Sequence, residues 1–157
     1  MLAVLAALVA VSALGAQPDW SAASIAASAR IGQPFVLDGL DVQIDRIAPA
    51  AAFGDGSPPD TGMRLFEVNF WVHNPLNETA GLYDYFYAYA VTSDGNDTDG
   101  DPLSFYSIGG SQEITDITLR PRDSSHARFD LQVTASEKIS DLVIFGPIDG
   151  TKVVIPL

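Results

Sequence analysis

The sequence predicts an all-β protein, an antiparallel β-sandwich of seven to nine short strands behind an N-terminal hydrophobic segment. Three observations carry that prediction. Apolar residues recur with period two, most clearly where Phe66, Val68, Phe70 and Val72 alternate with Glu67, Asn69, Trp71 and His73. Gly, Pro and Asp clusters interrupt these runs at short intervals, as turns require. No convincing amphipathic helix stands between the runs, so the alternation that builds a parallel sheet is missing. A closed barrel is the architectural alternative.

The chain has 157 residues, the size of one domain after allowance for a processed or anchoring segment. Hydrophobic residues make up 47%, enough for a packed core. The formal net charge is −12, from 20 Asp and Glu against 8 Lys and Arg. Nucleic acid and anionic membrane surfaces are therefore disfavoured partners. The acidity is mostly Asp, and the lysines are Lys138 and Lys152. Such a surface suits high salt, where repulsion is screened, and equally suits an ordinary acidic secreted protein. There is no Cys, which excludes disulfides, thiol catalysis, cysteine metal sites and a lipid-modified cysteine.

Residues 1–16, MLAVLAALVAVSALGA, carry no charged side chain. The run is shorter than the ~20 residues of a spanning helix and matches the core of a signal peptide, with small residues for cleavage near Ala16. The usual basic start is missing. A signal peptide is the first expectation, and an uncleaved membrane anchor extended into Ser21–Ala29 is the second. Residues 17–30 read as a linker or short helix, and residues 31–157 as the sandwich. Within it, Gln33–Leu37 is a short strand, and Asp38-Gly39 signals a tight hairpin. Leu40, Val42 and Ile44 alternate with polar residues until Pro49, which is expected to end the strand. Residues 50–62 form a long loop.

Arg64–Gly95 is the stretch on which the rest is organised. Asn74-Pro75-Leu76-Asn77 breaks the ladder after His73, because Pro75 has no amide donor. A second strand, Tyr83–Val91, places Tyr83, Tyr85, Tyr87 and Tyr89 on one face and Asp84, Phe86, Ala88 and Ala90 on the other. The pattern leaves open which face is buried. Beyond the turn Ser93-Asp94-Gly95, a short strand is expected at Phe105–Ile108 and one with a bulge at Ile114–Leu119. Ala127, Phe129, Leu131 and Val133 mark an alternating strand. Ile139–Phe145 reads as a central strand and Lys152–Leu157 as the last.

Four segments together resemble a known family. They are Ile31-Gly32-Gln33-Pro34-Phe35-Val36-Leu37-Asp38-Gly39-Leu40, the run Phe66–Pro75, Ser93-Asp94-Gly95, and Leu119-Arg120-Pro121-Arg122-Asp123 with Phe129-Asp130-Leu131. The family is the telokin-like, immunoglobulin-like extracellular domain of unknown function found in bacterial and archaeal secreted proteins and lipoproteins. Its fold is similar to that of the mycobacterial immunoprotective antigen. The resemblance spans about residues 30–157 and implies an immunoglobulin-like sandwich. It carries over no catalytic residues. The lipoprotein members have a Cys after the signal and this sequence does not.

Three groups of residues are candidate sites. Asp94, Asn96, Asp97, Asp99 and Asp101 space carboxylates as Ca²⁺ requires, although they fail the EF-hand template, and a solvated turn explains the same residues. Tyr83, Tyr85, Tyr87 and Tyr89, with Trp71 near in sequence, would form an aromatic platform for a glycan or peptide, while strand propensity alone accounts for them too. Asn77-Glu78-Thr79 and Asn96-Asp97-Thr98 match the N-glycosylation pattern. His73 and His126 fall on polar strand faces without a third metal ligand and are expected to face solvent. No Ser-His-Asp set or phosphate-binding Gly loop can be assigned.

The expected function is therefore a non-enzymatic binding or structural domain, secreted or held at the cell envelope, with a protein or glycan partner at the cell surface. No cofactor is implied beyond the Ca²⁺ candidate. A subunit of a surface filament and a Ca²⁺- or glycan-binding module are the alternatives.

Overall fold

The computed structural model describes residues 16–81, 87–98, 105–108, 113–114 and 118–157. Among them a single 3-10 turn, Trp20–Ala22, accompanies eleven strands. These are β1 (Phe35–Leu37), β2 (Leu40–Ala50), β3 (Met63–His73), β4 (Ala80–Gly81), β5 (Tyr87–Thr92) and β6 (Phe105–Ser107) in the first part of the chain. They continue with β7 (Glu113–Ile114), β8 (Thr118–Leu119), β9 (Ser124–Thr134), β10 (Ile139–Phe145) and β11 (Lys152–Pro156). The eight strands longer than two residues fall in the expected range. No helix among the described residues is long and apolar enough to cross a membrane.

Two sheets form the sandwich. The larger has the order β1-β2-β3-β9-β6-β7 and the smaller β11-β10-β5, while β4 and β8 pair separately; all strand pairs are antiparallel. Their inner faces share one core. Val68, Phe70 and Val72 of β3 and Ala127, Phe129 and Leu131 of β9 meet Ala88, Ala90, Leu142, Ile144, Val153 and Ile155 from the small sheet. Phe70, Phe105 and Phe129 pack with ring centroids 5.6–6.5 Å apart at tilted or edge-on angles, the arrangement the ring quadrupoles favour.

The open question about the second half of the organising stretch is answered by β5. Ala88 and Ala90 are buried and Tyr87 is half exposed, so Tyr87 and Tyr89 face outward. Small alanines let β5 approach the large sheet closely. β10 is the central strand of its sheet, as its apolar run implied, and is apolar on both faces.

Two expectations are corrected. Pro49 does not end β2, which runs to Ala50 with Pro49 opposite Phe66. β1 covers only Leu40–Val42, so Pro49 sits on an edge where its missing amide costs no ladder bond. β2 also carries a bulge between Ile44 and Arg46, which accounts for the change in apolar spacing from Ile44 to Ile47. The single strand expected at Ile114–Leu119 is two pieces, β7 and β8, in different sheets.

Residues 17–30 lie against the sandwich. Ser28 bridges Val154 in parallel, the amides of Ala29 and Val154 bond the carbonyls of Val154 and Ala27, and Ala29 is buried. The hairpin Asp38-Gly39 has positive φ at both residues, as a type I′ turn requires. The Asp38 carboxylate accepts from the amides of Ile148 and Asp149 at 3.1 and 2.9 Å, tying this hairpin to the β10–β11 turn. A Cβ on Gly146 would come within 2.5 Å of that carboxylate, so glycine is needed there.

Candidate functional site

The outer face of the small sheet is built from alternate residues of three strands. In register, Tyr87, Phe145 and Lys152 form one row, and Tyr89, Val143 and Val154 the next. Tyr87 is 49% exposed. Tyr87, Ala88, Tyr89, Phe145 and Pro147 line an open hollow of about 350 Å³. Lys152 reaches two of these rings, its Nζ 5.8 Å from the Tyr89 ring centroid and 5.7 Å from that of Phe145. The same ammonium lies 3.5 Å from the Tyr89 hydroxyl. Of the expected tyrosine platform, Tyr87 and Tyr89 are thus brought together, while Tyr83 and Tyr85 lie outside the described residues.

Trp71 is not part of this face. It projects from the outer side of the large sheet, across the sandwich, where its ring stacks on His126 with centroids 4.4 Å apart and planes 4° from parallel. His126 Nε2 is 2.9 Å from Asp45 Oδ2, a close polar contact without an aligned N–H···O hydrogen bond. Trp20 stacks on His73 at 5.5 Å, and His73 Nδ1 is 3.0 Å from the Ser124 hydroxyl, which accepts from the Gln17 amide. Both histidines were expected to face solvent. Tryptophan rings cover them instead, because the neighbouring strand and the N-terminal segment supply those rings across the sheet face.

The same outer face carries a charge network that sequence reasoning missed. Arg128 contacts Glu67 at 3.2 Å and Asp130 at 2.7 Å, and Arg46 contacts Glu67 at 3.2 Å. The Asp130 side chain is only 2% exposed. It accepts from the Gly54 amide at 2.7 Å, while Arg128 donates to the Ala52 carbonyl. These bonds fasten loop 50–57 over the sheet. Gly54 lies against the Tyr106 ring so closely that a Cβ would come within 2.2 Å of it. Glu67, Arg128 and Asp130 were visible as polar alternates of their strands, but their meeting depends on the β3–β9 register.

Burial raises the Asp41 carboxyl above its ordinary value, an effect that His73 nearby partly offsets. Burial likewise raises Asp38, whereas hydrogen bonds from Thr151 lower Asp149.

Asp94, Asn96 and Asp97 sit exposed in the turn after β5. Asp99 and Asp101 lie outside the described residues. Among the described residues no group of three or more His, Asp or Glu side chains is arranged to hold a metal ion. The two glycosylation patterns differ in setting. Asn77, Glu78 and Thr79 are all exposed, beyond a segment anchored by buried Asn74, which donates to the carbonyls of Glu78 and Leu119 and accepts from Leu76. In the other, the Thr98 hydroxyl is bonded to both the amide and the carbonyl of Ala90.

No family model matches the chain and no curated protein matches it. Solved structures do. The chain is similar to an uncharacterized β-sandwich protein from Clostridium difficile, with TM-score 0.58 and 13% identity over 91% of this chain and 99% of that one. It is similar to a secreted protein of Mycobacterium tuberculosis, MPT63, with TM-score 0.54 and 12% identity over 91% and 100%. It also matches a putative lipoprotein of Bacillus subtilis, with TM-score 0.53 and 15% identity over 79% of this chain and 38% of that one. The likeness is one of fold, and it establishes the immunoglobulin-like β-sandwich that the sequence segments resemble.

Proposed function

We propose that the chain is a non-enzymatic binding domain, secreted or held at the cell surface, that engages its partner through the outer face of β5, β10 and β11. The observation that carries this reading is the outward aromatic row, with Tyr87 half exposed beside Phe145 and Tyr89. Aromatic rings facing solvent on a rigid sheet offer large contact area at small entropic cost, and such rings are enriched at interfaces. The secreted and lipoprotein neighbours and the apolar segment 1–16 support an extracellular setting.

The test is binding of the domain to polysaccharides and glycoproteins of a cell envelope, comparing wild type with Tyr87→Ala. Loss of one exposed ring at the centre of a contact is expected to weaken binding by about tenfold or more. Wild-type binding by Tyr87→Ala would move the contact elsewhere on the molecule.

A further inference from the structure

Lys152 is one of two lysines in a chain of net charge −12. Ion pairs among the described residues join Arg46 and Arg128 to Glu67 and Asp130, and they leave Lys152 out. Its ammonium is exposed, poised over Tyr89 and Phe145 beside the hollow that Tyr87 borders. An ammonium has three donors, and the long contact to the Tyr89 hydroxyl occupies at most one of them. The aromatic ledge therefore ends in a cation with unused donors.

The ledge is a sheet face. Along β10 the backbone is paired to β5 on one side and β11 on the other, so a peptide laid across this face finds no main-chain partners on the central strand. Only the flanks of β5 and β11, the edge strands of this sheet, offer them, and those are partly taken by Thr98 on Ala90 and by residues 27–29 on Val154. A pyranose ring needs none, because its flat C–H face stacks directly on an aromatic ring. Tyr87 and Tyr89, two residues apart on one strand, are spaced by about 7 Å and serve successive rings. The overall negative charge repels polyanions.

We infer that this face binds a glycan in which neutral sugars stack on Tyr87 and Tyr89 and a single acidic sugar places its carboxylate on Lys152. The inference rests on the sheet-face reading above and adds the ligand class to it.

The experiment uses an array of neutral oligosaccharides and the same oligosaccharides bearing one uronic or sialic acid. Wild type, Lys152→Gln and Tyr87→Ala are each checked for unchanged melting. Wild type is expected to hold the acidic sugars about tenfold more tightly than their neutral counterparts, the scale of one charge-assisted hydrogen bond. Lys152→Gln should lose that preference and keep neutral binding, and Tyr87→Ala should lose both. Equal binding of neutral and acidic sugars, or a preference that survives Lys152→Gln, overturns the carboxylate assignment and leaves the sheet-face site standing. Binding of peptides with no sugar bound, abolished by Tyr87→Ala, overturns the glycan class alone. No binding to either, with Tyr87→Ala silent, takes down both.

Discussion

The two outer faces of the sandwich use similar residues to opposite ends. On the large sheet, Trp71 and Trp20 are spent on His126 and His73, Arg128 on Glu67 and Asp130, and loop 50–57 closes over Tyr106. On the small sheet, Tyr87 and Phe145 face a hollow, and Lys152 has no carboxylate among the described ion pairs. Aromatic and charged residues therefore do not mark a binding surface by their presence. What separates the proposed binding face from the other is how far the fold has supplied their partners among the described residues.

The strongest way to break that comparison is Asp130→Ala. It removes the carboxylate that pairs with Arg128 and receives the Gly54 amide, leaving a largely buried guanidinium less compensated. A loss of about 3 kcal/mol is expected, at the low end for a broken buried pair because Glu67 and the Ala52 carbonyl remain. Denaturant unfolding measures it, and a loss under ~1 kcal/mol would mean the network does not hold the loop.

Gly54→Ala tests the same closure from the other side. Its Cβ would collide with the Tyr106 ring, so the loop must lift, at a cost of about 1–3 kcal/mol. Faster proteolysis at loop 50–57 should accompany the change.

Asp41→Asn should act with the opposite sign. The folded Asp41 carboxyl is raised by burial, so the native state holds its proton to higher pH than the unfolded chain does. Stability contributed by this group is then greatest below its unfolded value and falls as pH rises through the folded value. Replacement with Asn removes that loss. The variant should melt higher than wild type at pH 7, and the gap should close below about pH 3.8, the unfolded carboxyl value. A gap that is the same at pH 3 and pH 7 would sink this account.

Tyr87→Ala is the smallest effect expected on stability, within about 0.5 kcal/mol as for an exposed side chain. A larger loss in thermal unfolding would show that the small-sheet face contributes to the fold as the large-sheet face does.

Much of the fold was legible in the chain. Phe66–His73 and Ala127–Val133 alternate so strictly that strand, face and core membership follow from period two, and Asp38-Gly39 specified its turn through positive φ at both residues. The pieces of β7 and β8 were not legible, since two-residue strands have no periodicity to read. Pro49 misled because an edge position cannot be told from an interior one before the neighbours are known.

The candidate sites divide the same way. The tyrosine row was visible at Tyr87 and Tyr89, yet the alternation was equally compatible with either face buried. Only packing of Ala88 and Ala90 against the large sheet decided it. Trp71 looked close to the tyrosines because it is close along the chain. The sandwich put it on the far side, because β3 and β5 belong to different sheets. Phe145 and Lys152 reached Tyr87 only through the pairing of β10 with its two neighbours.

The sequence by itself determined the fold class, the strands of the core and the acidic charge, because alternation, turn chemistry and composition are local properties. The tertiary structure alone decided which aromatic and charged groups are already partnered, because that depends on register between strands far apart in the chain.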